Sequence, residues 1–199
     1  MTLTEDETRL VRFFTACVIG DWPVARRELT SGAVDSSWRE ALLQLHLFAG
    51  FPRLIQAFRI VDETLEETRP LPRDDTPEAP PEEQAENGAA LFDSIYDDLA
   101  ESVRGELMAY DPNLASWIAD HAYGRVLARP GLTPRLRELL AVGALIALGQ
   151  DRQLASHARG ALRCGAAVEE PGQVLEALTD ILASEQLAQA RGVIERFTA

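Results

Sequence analysis

The sequence has no lysine: all 19 basic residues are arginines. Against them stand 32 acidic residues, leaving a net charge of −13. The missing lysine reads as coding bias rather than chemistry. A chain this acidic, with no basic stripe, excludes nucleic acid and anionic membrane surfaces as natural partners. It would also repel an anionic substrate unless arginines gather locally. Cysteine is scarce, and Cys17 and Cys164 are too far apart in sequence to suggest a disulfide framework. Three scattered histidines form no ligand-spaced cluster, so neither a metal site nor a cofactor is expected. No apolar run approaches the roughly 18 residues that a bilayer span requires. The stretch Met1-Thr2-Leu3-Thr4-Glu5-Asp6-Glu7 is acidic and polar, unlike a secretory signal. The expected compartment is the cytoplasm.

What remains is an ordinary globular composition, 46% hydrophobic and 26% charged. At 199 residues the chain can bury one good core or two small ones. No segment sustains strand alternation, so the fold class is all-α. Shifted by 133 residues, the sequence meets itself. Ala25–Ala33 falls on Ala158–Ala166, and Leu54–Ala57 falls on Leu187–Ala190. In each copy a helix ends at a glycine, Gly32 or Gly165, and an amphipathic helix follows. This pattern reads as two degenerate helical repeats, 1–63 and 91–199. Residues 64–90 between them hold Pro70, Pro72, Pro77, Pro80 and Pro81 among many acidic residues. Proline blocks helix and like charges extend a chain, so this span reads as a linker or surface wrap.

Thr133-Pro134 predicts a helix start, with a threonine cap and proline at the first helical position. The helix that follows is apolar nearly all round and should be central. Glu138 lies in its second turn. It reads either as a partly buried carboxylate or as an ordinary early-helix acid paired with Arg135 or Arg137. Gly149 closes that helix, and Gln150–Arg163 forms the next. His157 lies on the stripe of Leu154, Ala161 and Cys164, toward the apolar side. It reads either as a general acid or base or as a core histidine bonded to a backbone carbonyl. Arg129, Arg135 and Arg137 could clamp a carboxylate, or could be spent on internal ion pairs. Cys164 reads as a packing residue.

The segment Tyr123–Leu132, with Arg129-Pro130-Gly131-Leu132, and the helix His157-Ala158-Arg159-Gly160-Ala161 resemble the carboxymuconolactone decarboxylase and alkylhydroperoxidase D-like family. In the peroxidase branch a glutamate stands 12 positions before a Cys-x-x-Cys pair, and a histidine stands seven after its first cysteine. Glu138 and His157 match, but the cysteine positions are Gln150 and Gln153. Glutamine is no nucleophile, so the resemblance implies no thiol peroxidase cycle. A residual oxidative-stress role would rest on the family name alone. The decarboxylase branch also lacks the pair. For it, the resemblance implies a lyase on a small carboxylated or lactone compound, with His157 and Glu138 as acid–base pair. The three arginines, Gln150, Gln153 and Phe51 would bind substrate. The alternative is an inactive module of the same fold that binds a ligand or serves assembly. The family's closing turn occurs in the first repeat, as Phe48-Ala49-Gly50-Phe51-Pro52. A permuted family unit would therefore bring Phe51 and Pro52 near Glu138 and His157. Ala167 replaces a usual threonine cap, and Pro171-Gly172 should disturb the next helix. The resemblance also implies a homo-oligomer, with helix 134–148 contributing to contacts.

Overall fold

The computed structural model describes residues 2–65, 70–72 and 77–198, all helices and connections, with no strand among the described residues. Ten α-helices follow in order: α1 (Glu5–Ile19), α2 (Trp22–Thr30), α3 (Ser36–Leu65), α4 (Pro81–Tyr96), α5 (Ala100–Tyr110), α6 (Pro112–Ser116), α7 (Pro134–Leu148), α8 (Asp151–Arg163), α9 (Glu170–Ala177) and α10 (Ser184–Thr198). Between α6 and α7, Trp117–Leu127 winds more widely, as a π-helix with i to i+5 hydrogen bonds.

Local chemistry sets the boundaries. Thr4 and Glu7 form a reciprocal capping box at the start of α1. Helix α3 breaks at Gly50, whose φ of 74° and ψ of 169° leave the helical region, and Pro52 opens its second half. With that break, the 133-residue shift extends across the repeats. It carries Thr30, the end of α2, onto Arg163, the end of α8. It carries Phe51–Leu65, the second half of α3, onto Ser184–Thr198, the whole of α10. The N-terminal and C-terminal helices do not fold apart. Residues of α1, α2, α3, α7, α8, α9 and α10 share one apolar core. Arg12 of α1 joins Glu28 at 2.9 Å and Asp180 at 2.6 Å, so ion pairs also tie the two repeats together.

Three expectations meet a different arrangement. The span 64–90 is not extended throughout, since α3 runs to Leu65 and α4 starts at Pro81; 66–69 and 73–76 lie outside the described residues. Pro81 sits at the first helical position, where its missing N–H costs nothing. The same reason lets Pro171 start α9 without disturbing it. Helix α7 is enclosed, Leu136–Ile146 being buried without interruption between α1 and α8, so it has little face left for another copy of the chain.

Helix α4 packs on the π-helical stretch at very close range. A Cβ on Gly88 would lie 2.5 Å from the Gly124 Cα, so only paired glycines permit this approach. Phe92, Ile95, Ala100, Tyr123 and Leu127 form a second, smaller core there. It roofs the region beside α8.

Candidate functional site

Helix α7 begins where expected. The Thr133 hydroxyl accepts the Leu136 N–H at 3.2 Å, and Gly149 closes the helix at a φ of 64°. Its second turn therefore holds Glu138 within the core, 1% exposed. Helix α8 returns antiparallel through the tight Gly149-Gln150 connection and buries Leu154, Ala158 and Ala161. His157 sits between these positions and faces α7. Its Nδ1 is 2.9 Å from the Glu138 Oε2. One helical turn later stands Gly160. A Cβ there would meet the Glu138 Oε2 at 2.5 Å and the Ile95 Cγ2 at 2.8 Å. The missing side chain at 160 is what admits the carboxylate.

Burial disfavours the His157 cation, but the charge and hydrogen bond of Glu138 outweigh it and raise the imidazole pKa. The protonated ring then donates Nδ1–H to Glu138 and keeps a second N–H, on Nε2. His157 lines a cavity of about 630 Å³ whose other walls include Phe48, Tyr96, Tyr123, Gln150, Arg152 and Gln153. The imidazolium is thus a proton donor at a cavity wall, with a carboxylate behind it.

Two tyrosines face the same space. The Tyr123 hydroxyl donates to the Tyr96 oxygen at 3.2 Å. Burial pushes both phenol pKa values up, and the Glu138 charge adds to this. Both stay protonated near neutral pH, which leaves the Tyr96 hydroxyl available as a donor. Phe48 packs edge-on to His157 with ring centroids 6.4 Å apart. Arg152 joins Glu106 at 2.6 Å on the cavity rim.

The structure thus gathers Glu138, His157, Gln150 and Gln153, the glutamines exposed at the mouth. It does not gather the other sequence candidates. Arg129 takes the buried Glu40 with two nitrogens, and Arg137 reaches the same carboxylate at 2.9 Å. Arg135 holds Glu7 at 2.6 Å and also Glu170. All three arginines are engaged in internal ion pairs rather than on the cavity wall. Phe51 lies 60% exposed and stacks on His46, with centroids 4.9 Å apart. The break at Gly50 divides its motif: Phe48 turns toward His157 and Phe51 away from it.

Sequence reasoning missed Tyr96, Arg152 and the part played by Tyr123. Arg152 lies between the two glutamine positions and was the nearest signal. Tyr96 belongs to α4, whose docking depends on the Gly88–Gly124 contact. Among the described residues no three histidine, cysteine or acidic side chains gather as a metal site would require. Among the described residues, too, no helix is long and apolar enough to cross a membrane. Both cysteines are free, and burial raises the pKa of each, that of Cys164 to about 11.

Two comparisons with known proteins bear on this arrangement. Residues 112–196, which include α7 and α8, match the model of the carboxymuconolactone decarboxylase family. Over 134 residues, 66% of the chain, the sequence is 29% identical to Peroxisomal protein 2 of Schizosaccharomyces pombe. The match covers 62% of that relative's length. Tyr96 and Phe48 lie outside the family span, so the cavity draws on more of the chain than the family match covers.

Proposed function

We propose that this chain, whose residues 112–196 match the carboxymuconolactone decarboxylase family model, is a proton-transfer enzyme acting on a small carboxylated or lactone compound. The observation that carries this reading is the His157–Glu138 pair at 2.9 Å on the wall of a 630 Å³ cavity. A buried acid–base pair facing a ligand-sized cavity is a common arrangement for general acid catalysis.

In a decarboxylation, the bond from the substrate carbon to its carboxylate breaks and carbon dioxide leaves. The electron pair delocalises onto a conjugated carbonyl oxygen. The Tyr96 hydroxyl is the donor suited to stabilise that oxygen. His157 then delivers the Nε2 proton to carbon, and Glu138 holds the ring in place and steadies its charge. Arg152 is the cation nearest to hand for the departing carboxylate. With Glu106 beside it, the rim suits one carboxylate better than two. Gln150 and Gln153 can orient a lactone by hydrogen bonding but cannot react with it.

The test is turnover of unsaturated lactone acids, followed by loss of substrate absorbance. His157→Gln should lower the rate by about 10²–10⁴-fold with the fold unchanged. If the variant kept the wild-type rate, His157 would not be the acid. If the compounds bound without turnover in either protein, the inactive ligand-binding module would be the better account.

Self-association belongs to the same proposal. Met108, Tyr110, Leu114 and Trp117 expose large apolar surface along α5, α6 and the start of the π-helical stretch. Light scattering would give the subunit number. Free, unpaired thiols fit a reducing compartment. We take the cytoplasm as the simplest choice. The relative's name associates that protein with the peroxisome, and cell fractionation would separate the two.

A further inference from the structure

We propose that the ligand of the His157 cavity has a polar head and an extended apolar tail, and that the tail lies in a second cavity beyond Phe92 and Tyr123. This inference rests on the reading of His157 and its cavity as a ligand site, and it adds the substrate class.

The second cavity, about 410 Å³, lies among α4, α5, α6 and the π-helical stretch. It shares Phe92, Leu107, Ile118 and Tyr123 with the cavity at His157. The two spaces therefore meet along one aromatic and aliphatic wall. Phe92 and Tyr123 pack edge to face, with centroids 4.7 Å apart.

Polarity is divided between the two ends. The groups able to bind or protonate a head, His157, Gln150, Gln153 and Tyr96, all belong to the first cavity. Beyond the shared wall, the lining is largely small and apolar, with Ala85, Ala89, Met108 and Ala115. Small side chains leave width for a tail, and methionine adapts to irregular apolar shapes. Arg104 and Asp120 stand among this lining, but each already has a partner: Arg104 joins Asp93 and Glu101, and Asp120 accepts from Ser116. A small lactone acid would fill only the first space. A ligand that filled both would be a monocarboxylate or lactone carrying a hydrocarbon chain that crosses the shared Phe92–Tyr123 wall.

The experiment uses the full chain and straight-chain alkanoates from butanoate to decanoate, with γ-lactones of matching carbon number as a second arm. Binding is read by calorimetry. Affinity should rise by about fourfold for each methylene that reaches the second cavity, and then level off. The stronger arm identifies the head. Ala115→Trp on α6 and Ala89→Phe on α4 fill the second cavity from opposite sides. Each should remove the gain from the longer chains and leave the shortest probes unchanged.

Affinity that stays flat with chain length, while short probes bind, overturns the tail and leaves the His157 reading standing. Failure of every probe to bind overturns both. If the two variants kept the chain-length gain but dissociated an oligomer, the second cavity would be a subunit contact and the inference would be overturned.

Discussion

Replacing Glu138 by glutamine keeps the shape of the side chain and its ability to accept the Nδ1–H of His157. It removes only the negative charge. In the wild-type protein, burial lowers the His157 pKa, and the charge and hydrogen bond of Glu138 more than reverse that. With the charge gone, burial is left as the larger effect, and the pKa should fall below the ordinary value of about 6.5. The two proteins should then depend on pH in opposite ways. Where the folded pKa is raised, the histidine's contribution to stability is complete below pH 6.5 and is lost as pH rises through the folded value. Where it is lowered, the contribution is complete above pH 6.5 and is lost as pH falls through the folded value. Each unit of separation between folded and unfolded pKa corresponds to about 1.4 kcal/mol. Replacing a buried charged hydrogen bond by a neutral one should cost about 1–2 kcal/mol near pH 6. NMR titration of the His157 ring protons gives both midpoints directly, and urea unfolding from pH 5 to 8 gives the stability slopes. A Glu138→Gln midpoint at or above the wild-type value would refute this account of the pair.

Gly160→Ala should displace the Glu138 carboxylate or Ile95, costing about 1–3 kcal/mol by urea unfolding despite alanine's better helix propensity. The His157 ring signals should move as well, and a stabilised variant with unmoved signals would show that the space at 160 is not limiting. Glu40→Ala leaves Arg137 buried without its carboxylate and should cost about 3–5 kcal/mol. Probe affinity at the His157 cavity should stay at the wild-type value, because Arg129 and Arg137 point elsewhere; a large change in affinity would place them in the site after all.

The parts of this fold that were legible in sequence are those decided within a few residues. Thr133-Pro134 and Gly149 bound α7 by capping chemistry, and the apolar stripe turned His157 inward. The partners of the arginines were not legible, because Glu40 and Glu170 reach them across long stretches of chain. Both acids are buried, and the sequence around them does not say which cation they take. The sequence motif points to Phe51 where Phe48 stands, because a helical reading does not foresee the non-helical ψ at Gly50. Tyr96 stayed hidden although Leu91–Tyr96 reads as helical, because the docking of α4 beside α8 depends on the distant Gly88–Gly124 contact. The π-helical winding of Trp117–Leu127, which packs against α4, leaves no simple periodicity.

The two repeats have one further consequence, for stoichiometry. The 133-residue shift that aligns the ends of α2 and α8 sets Val24 at the position of His157, whereas α1 and α7, each of 15 residues, correspond with Arg9 at the position of Glu138. Val24 is buried in the shared core, and Arg9 is bound to Asp6, Ser31 and two backbone carbonyls. The N-terminal helices thus serve as packing for α7 and its neighbours. On the proposed reading, a saturating titration should count one ligand at the His157 cavity for each chain, however many copies assemble.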